Sequence, residues 1–290
     1  MAKVKITEEE VASVTSILFK HWGYDLYYET QLDCFGGRPD IVGVKGKSWC
    51  SVIECKASLS YPVLEQVIRW HMERDYLATN EWYKKNPDPS RKAVPHFLWV
   101  ATGNSHAGKI HDMKRYLLDK FRIGWIDITV REEIPESWDI EDHYLGTRIP
   151  DNAVERYSSE DYGSVRIGRR IYEYRVRCEA KIQDGSRKSA HYIVERLLPE
   201  MKEATAGVTA DKANYVTPFK LTLRRVVDNM EKGKWYKPAD LLDLVEANGG
   251  HHYSKDSTFK SSIGGWLLHF NHCEANTEYN KSFRLLEKEN

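Results

Sequence analysis

The sequence has no net charge, no paired-cysteine spacing and no long apolar run. Lys and Arg number 43 and Asp and Glu number 43, so the whole-chain charge gives no pull toward a polyanion or a membrane surface. Five cysteines (Cys34, Cys50, Cys55, Cys178 and Cys273) without a CxxC argue against a disulfide framework and predict free thiols in a reducing compartment. No stretch approaches the ~18 uncharged apolar residues of a membrane span. Met1-Ala2-Lys3-Val4-Lys5 leads into acids without the apolar core of a signal peptide. A soluble, cytoplasmic protein with no membrane partner is expected. Repeats and low-complexity segments are also missing. A 41% hydrophobic and 30% charged composition excludes a disordered chain, a collagen-like repeat and a coiled-coil rod. At ~150 residues per domain, the length predicts about two domains.

What is present is patterned. Residues 1–130 carry 18 basic and 16 acidic side chains, residues 131–162 carry 3 and 10, and residues 163–290 carry 22 and 17. Local patches decide polyanion binding, so a nucleic-acid partner stays open beside ordinary surface variation. Thr7 with Glu10 three residues on has the form of a capping box. Val11, Val14, Ile17 and Leu18 then continue at helical spacing until Gly23. Strands are predicted over 24–32, 40–44 and 49–57, a long helix over 63–82, a strand over 97–101, a helix over 109–121 and a strand over 123–130. This order predicts an α/β (α+β) domain over 1–130, a mixed sheet flanked by helices. The acidic stretch 131–163 reads as a linker. In the basic middle segment 164–217, Tyr172, Tyr174 and Val176 alternate with Glu173, Arg175 and Arg177. That is the period of a half-buried strand, with a helix as the alternative, and a helix ending near Leu198-Pro199 follows.

The chemistry concentrates in Pro39-Asp40-Ile41-Val42-Gly43-Val44 and Glu54-Cys55-Lys56. On a strand, Glu54 and Lys56 point one way and Ile53 and Cys55 the other. A short turn brings Asp40, at the head of the neighbouring strand, back beside Glu54. Two carboxylates brought together repel, and a divalent, oxygen-seeking cation relieves them. A neighbouring Lys can then hold or deprotonate an attacking water. The bland reading is a Glu and a Lys on the solvated face of an ordinary hairpin.

These residues, on the second and third strands of an α-β-β-β-α-β order, resemble the PD-(D/E)XK nuclease superfamily over about residues 7–130. The resemblance implies a restriction-endonuclease-like fold and a metal-dependent endonuclease hydrolysing DNA phosphodiester bonds to a 5′-phosphate and a 3′-hydroxyl. Asp40 and Glu54 would hold Mg²⁺, or Mn²⁺ in its place, with the Cys55 carbonyl as a further ligand, and Lys56 would position water. Family members often add a Glu from the first helix. Glu8, Glu9 and Glu10 are candidates, with Glu10 preferred and a capping role as the alternative. The Gln-x-x-x-Tyr of one branch is matched by Gln66 but not by Trp70.

Residues 218–290 read as a small C-terminal winged-helix-like domain. Helices are predicted over 221–230, 239–247 and 256–270, then short β pieces around 276–279 and 282–286. Lys255, Thr258, Lys260 and Ser261, near the start of the third helix, are of the type that a major-groove reader presents. Winged helices also dock proteins, and Gly264-Gly265 inside that helix costs stability. Arg169 and Arg170, among the tyrosines of the middle segment, are a second candidate DNA contact, against a solvated strand face. His269, His272 and Cys273 suggest zinc only weakly. The expected partner is double-stranded DNA, with a homodimer or a partner protein if both strands are cut. The same architecture is similar to restriction-type enzymes and to the endonuclease subunit of heteromeric transposases. The alternative is a catalytically silent nuclease-fold scaffold.

Overall fold

Thr7 starts α1 (Glu8–His21) by a reciprocal cap: its hydroxyl takes the Glu10 N–H at 3.2 Å, and its own N–H donates to Glu10 Oε2 at 2.8 Å. In the computed structural model the described residues are 5–30, 38–79, 81–85, 93–103, 111–134, 150–156, 161–197, 199–202, 218–253, 255–276 and 281–286. The turn expected at Gly36-Gly37, the loop at 86–90, Cys34 and most of the acidic stretch (135–149 and 157–160) lie outside them.

The chain continues through β1 (Tyr24–Tyr28), β2 (Ile41–Lys45), β3 (Trp49–Lys56), α2 (Tyr61–Thr79), α3 (Glu81–Lys85), β4 (Phe97–Gly103), α4 (Asp112–Lys120) and β5 (Ile123–Glu133). Then come β6 (Val154–Arg156), β7 (Tyr162–Ile167), β8 (Arg170–Cys178), the short helices α5 (Ser186–Ser189) and α6 (His191–Val194), and a 3₁₀ turn (Pro199–Lys202). One eight-stranded sheet takes the order β1-β2-β3-β4-β5-β8-β7-β6. Its centre is parallel (β3-β4-β5), and the pairings on both flanks are antiparallel.

Helices cover both faces of the centre, so β3 is buried at six successive positions from Cys50 to Cys55 instead of alternating. Ile53 and Cys55 pack with Val11, Val14, Leu18 and Phe19 of α1. Cys50 and Val52 pack with Val63, Leu64 and Val67 of α2. Each such aliphatic side chain contributes about 1.5–3 kcal/mol by burial. Val165, Tyr172 and Tyr174 join the α1 cluster, so the sheet curls around that helix.

The middle of the chain is organised differently from the linker and separate segment expected over 131–163 and 164–217. β5 runs on to Glu133, and β8 pairs with it from Trp125↔Cys178 to Glu133↔Arg170. The alternation over 172–178 is that of a strand, and it extends the same sheet. The described part of the chain divides into two compact units, 1–215 and 216–290. No helix among the described residues is long and apolar enough to cross a membrane.

The second unit holds α7 (Pro218–Asn229), α8 (Pro238–Ala247), α9 (Asp256–His269) and the antiparallel pair β9 (Cys273–Asn276) and β10 (Ser282–Leu285). Tyr236 bridges to Phe283 as a third, one-residue strand. The glycine pair in α9 has a packing cause. A Cβ on Gly264 would lie 1.9 Å from the Phe283 ring, so the helix approaches the hairpin only with Gly there, whereas a Cβ on Gly265 meets nothing within 4 Å.

Candidate active site

The antiparallel register Ile41↔Ile53 places Asp40 beside Glu54, as the alternation required. Both are almost wholly buried, with 8% and 4% exposure. Asp40 is held as an acceptor: its Oδ2 takes the Cys55 N–H at 2.7 Å and the Lys56 Nζ at 3.3 Å. Burial pushes the Glu54 carboxyl well above its usual value, and the neighbouring Asp40 charge and hydrogen bond raise it further. Lys56 is pulled the other way by burial, but Asp40, Glu8 and Glu54 outweigh that and hold it charged.

The first-helix acid nearest this cluster is Glu8, whose Oε2 lies 3.4 Å from Lys56 Nζ. Glu10, preferred from the sequence, is occupied elsewhere. One carboxylate oxygen takes Arg170 and the Tyr172 hydroxyl, the latter at 2.7 Å, and the other takes the Thr7 N–H. Burial raises its carboxyl, yet the hydrogen bonds from Tyr172, Thr7 and Arg170 prevail and bring it below the usual value. Arg170 also grips Glu133 at 2.8 Å, so this expected DNA contact is an internal tie between α1, β5 and β8. Arg169 is half-buried, and its carbonyl accepts the Ile134 N–H at 2.9 Å.

Gln66 is half-buried on α2, and Trp70, where the resembling branch has Tyr, is a core residue. Cys55 is fully buried with its thiol pushed up by burial, then by Asp40 and Glu54, which leaves its carbonyl as the oxygen donor. Lys255, Thr258, Lys260 and Ser261 are exposed on α9, while Phe259 and Ile263 turn inward. His269 is exposed and Cys273 is buried against Met230.

Two features escaped sequence reasoning. Glu29, at 8% exposure, adopts a left-handed φ of 48°, gives its N–H to the Asp40 carbonyl at 3.0 Å and adds negative charge felt by Glu54. A non-glycine residue at such a φ carries backbone strain, which clusters at functional sites. The sequence gives no signal for it, since the strand expected over 24–32 runs through Glu29, whereas β1 ends at Tyr28. In the parallel register, Lys56, Thr102 and Asp127 stand in a row across β3, β4 and β5. Asp127 pairs with Arg177 at 2.9 Å, and Thr102 accepts the Trp125 indole N–H at 2.8 Å. These partners lie decades of residues apart, so only the strand order reveals them.

The donors at Asp40, Glu54 and the Cys55 carbonyl are all oxygens, which suits Mg²⁺ or Mn²⁺. Two carboxyls buried side by side favour a cation beside them. Among the described residues, no group of three or more His, Cys, Asp and Glu is placed to hold a metal ion. Comparison with family models, with curated proteins and with solved structures gives no match.

Proposed function

We propose that the chain is a metal-dependent endonuclease that hydrolyses DNA phosphodiester bonds, with Asp40, Glu54 and Lys56 as its catalytic residues. The observation that carries this reading is the buried Asp40–Glu54 pair, with the Glu54 carboxyl pushed up by burial and by Asp40 and with Lys56 paired to Asp40 at the C-terminal end of β3. A structural ion pair has no use for a second, uncompensated carboxyl, whereas strong perturbation in a polar cluster is what a working site needs. Asp40, fixed by the Cys55 N–H, would be the first carboxylate ligand. Glu54 would supply the second carboxylate ligand. A divalent cation, when bound, neutralises phosphate charge and acidifies neighbouring water. Lys56, already an ammonium, acts as a donor that holds the attacking water or a phosphate oxygen, and it does not begin as a base. Glu8, at the far side of Lys56, positions that ammonium.

The order α-β-β-β-α-β and the placement of Asp40 and Glu54 on neighbouring strands support the restriction-endonuclease-like reading of the first unit. For the second unit, three helices followed by a hairpin, with Tyr236 as an added strand, support a winged-helix-like DNA reader through Lys255, Thr258, Lys260 and Ser261. The test is nicking of supercoiled plasmid. Cleavage with Mg²⁺ or Mn²⁺, none with Ca²⁺ and none in excess EDTA supports the reading. Undiminished cleavage in EDTA overturns it. Silence under all of these conditions while duplex DNA is still bound favours the scaffold, which the Lys56 ion pairs with Asp40 and Glu8 also accommodate.

A further inference from the structure

At the other end of β3, some five residues or roughly 16 Å from Glu54, lies a second site of different chemistry. The β2–β3 turn, the start of β4 and helices α5 and α6 enclose a cavity of about 490 Å³ lined by Lys47, Trp49, His96, Arg187, His191 and Glu195, among others. Its volume is in the range of small-ligand pockets. Lys47 and Arg187 carry fixed positive charge there, and Glu195 is the one carboxylate among the lining residues. The site therefore favours an anion.

Two aromatic groups give it a second character. Trp49 is stacked on Phe97, with ring centres 5.7 Å apart and planes 26° apart, and remains 42% exposed. An indole braced from behind and open in front is a platform for a flat ring. His96 sits 5.0 Å from the same indole and is only 8% exposed. Its Nδ1 accepts the Cys50 N–H at 3.2 Å, and its backbone is tied to Cys50 and Gln183. Burial, then the charge of Arg187, lowers its pKa and keeps the imidazole neutral. A neutral imidazole that accepts at Nδ1 carries its proton on Nε2. The cavity thus combines a stacking surface, a fixed neutral donor and two cations.

We propose that this cavity binds a nucleoside monophosphate unit, its base stacked on Trp49 and its phosphate between Lys47 and Arg187. The unit comes either from a free nucleotide or from the end of a single strand. Arg187 also lines an adjoining cavity with Arg122 and Lys188. The next phosphate of a strand would reach that cavity, and a free nucleotide would not. The inference does not depend on the nuclease reading.

Calorimetric titration of the full chain in EDTA tests it, with dAMP, deoxyadenosine, inorganic phosphate and a 5′-phosphorylated deoxyadenosine pentamer. dAMP should bind tighter than deoxyadenosine or phosphate. Trp49→Leu and Arg187→Ala, both at exposed side chains, should each weaken dAMP about tenfold or more. Trp49→Leu should leave phosphate binding unchanged. Tighter binding of the pentamer, weakened by Lys188→Ala while dAMP is not, identifies the strand as the source. Equal or weaker pentamer binding identifies the free nucleotide. If dAMP binds no tighter than phosphate, or if neither substitution matters in a protein whose circular dichroism is unchanged, the proposal is wrong.

Discussion

Glu10 and Glu54 are two acids of the first unit whose carboxyls are driven in opposite directions. Around Glu10, Arg170, Tyr172 and Thr7 supply enough donors to overcome burial, and the carboxyl lies below its usual value. Around Glu54, burial is nearly complete, the closest neighbour is another carboxyl, and Lys56 is shared with Asp40 and Glu8. The first arrangement is finished: it joins the start of α1 to β5 and β8 and has no need of a ligand. The second, on the function proposed above, would be completed by a cation. Acid count alone does not separate a structural tie from a reacting centre, whereas the balance of donors against charge does.

The largest expected effect lies at the incomplete site. Asp40→Asn, Glu54→Gln and Lys56→Ala should each lower the cleavage rate at least about a hundredfold, with circular dichroism retained. Full activity of Lys56→Ala would break the assignment. Glu8→Gln should fall between, a several-fold loss, because it removes one of the two ion-pair partners of Lys56 and no ligand. Equal loss in Glu8→Gln and Glu54→Gln would make Glu8 a ligand as well.

Stability should divide the two acids the other way. Glu10→Gln should cost about 1–2 kcal/mol in denaturant unfolding, by loss of charge-assisted hydrogen bonds to partly exposed partners, and should leave cleavage in place. The pH dependences should also differ in sign. Glu10 lies below its ordinary 4.5 in the folded chain, so its contribution is present above that pH and is lost as pH falls through the depressed value. Glu54 lies above 4.5, so its proton stabilises the metal-free fold at low pH, and that contribution is lost as pH rises through the raised value. The melting temperature of Glu54→Gln relative to the unaltered chain should therefore climb as pH rises, and that of Glu10→Gln should fall. Parallel profiles would dissolve the distinction.

Part of this was legible from local pattern. Asp40, Glu54 and Lys56 follow from strand alternation and a short turn, and Thr7 with Glu10 follows from capping chemistry. The tie of Glu10 to Arg170 and Tyr172 was hidden because these partners lie 160 and 162 residues away, beyond the reach of any local pattern. A separation of 50 residues likewise hid Asp127–Arg177. The stretch after residue 130 looked like a linker because its acids mask the continuation of β5, although the tyrosine alternation over 172–176 already carried the strand that pairs with it. Gly264 looked like a defect until Phe283, from the hairpin, supplied the reason for a missing side chain.

The most direct test of the contrast is proton release on Mn²⁺ binding, measured by calorimetry over a pH series above 4.5 in buffers of different ionisation enthalpy. The unaltered chain and Glu10→Gln should both bind Mn²⁺ and release a proton, since a cation at Asp40 and Glu54 displaces the one that Glu54 holds. Glu54→Gln should release none. Mn²⁺ binding without proton release in the unaltered chain, or the same release from Glu54→Gln, would contradict the assignment of the buried pair as the metal site.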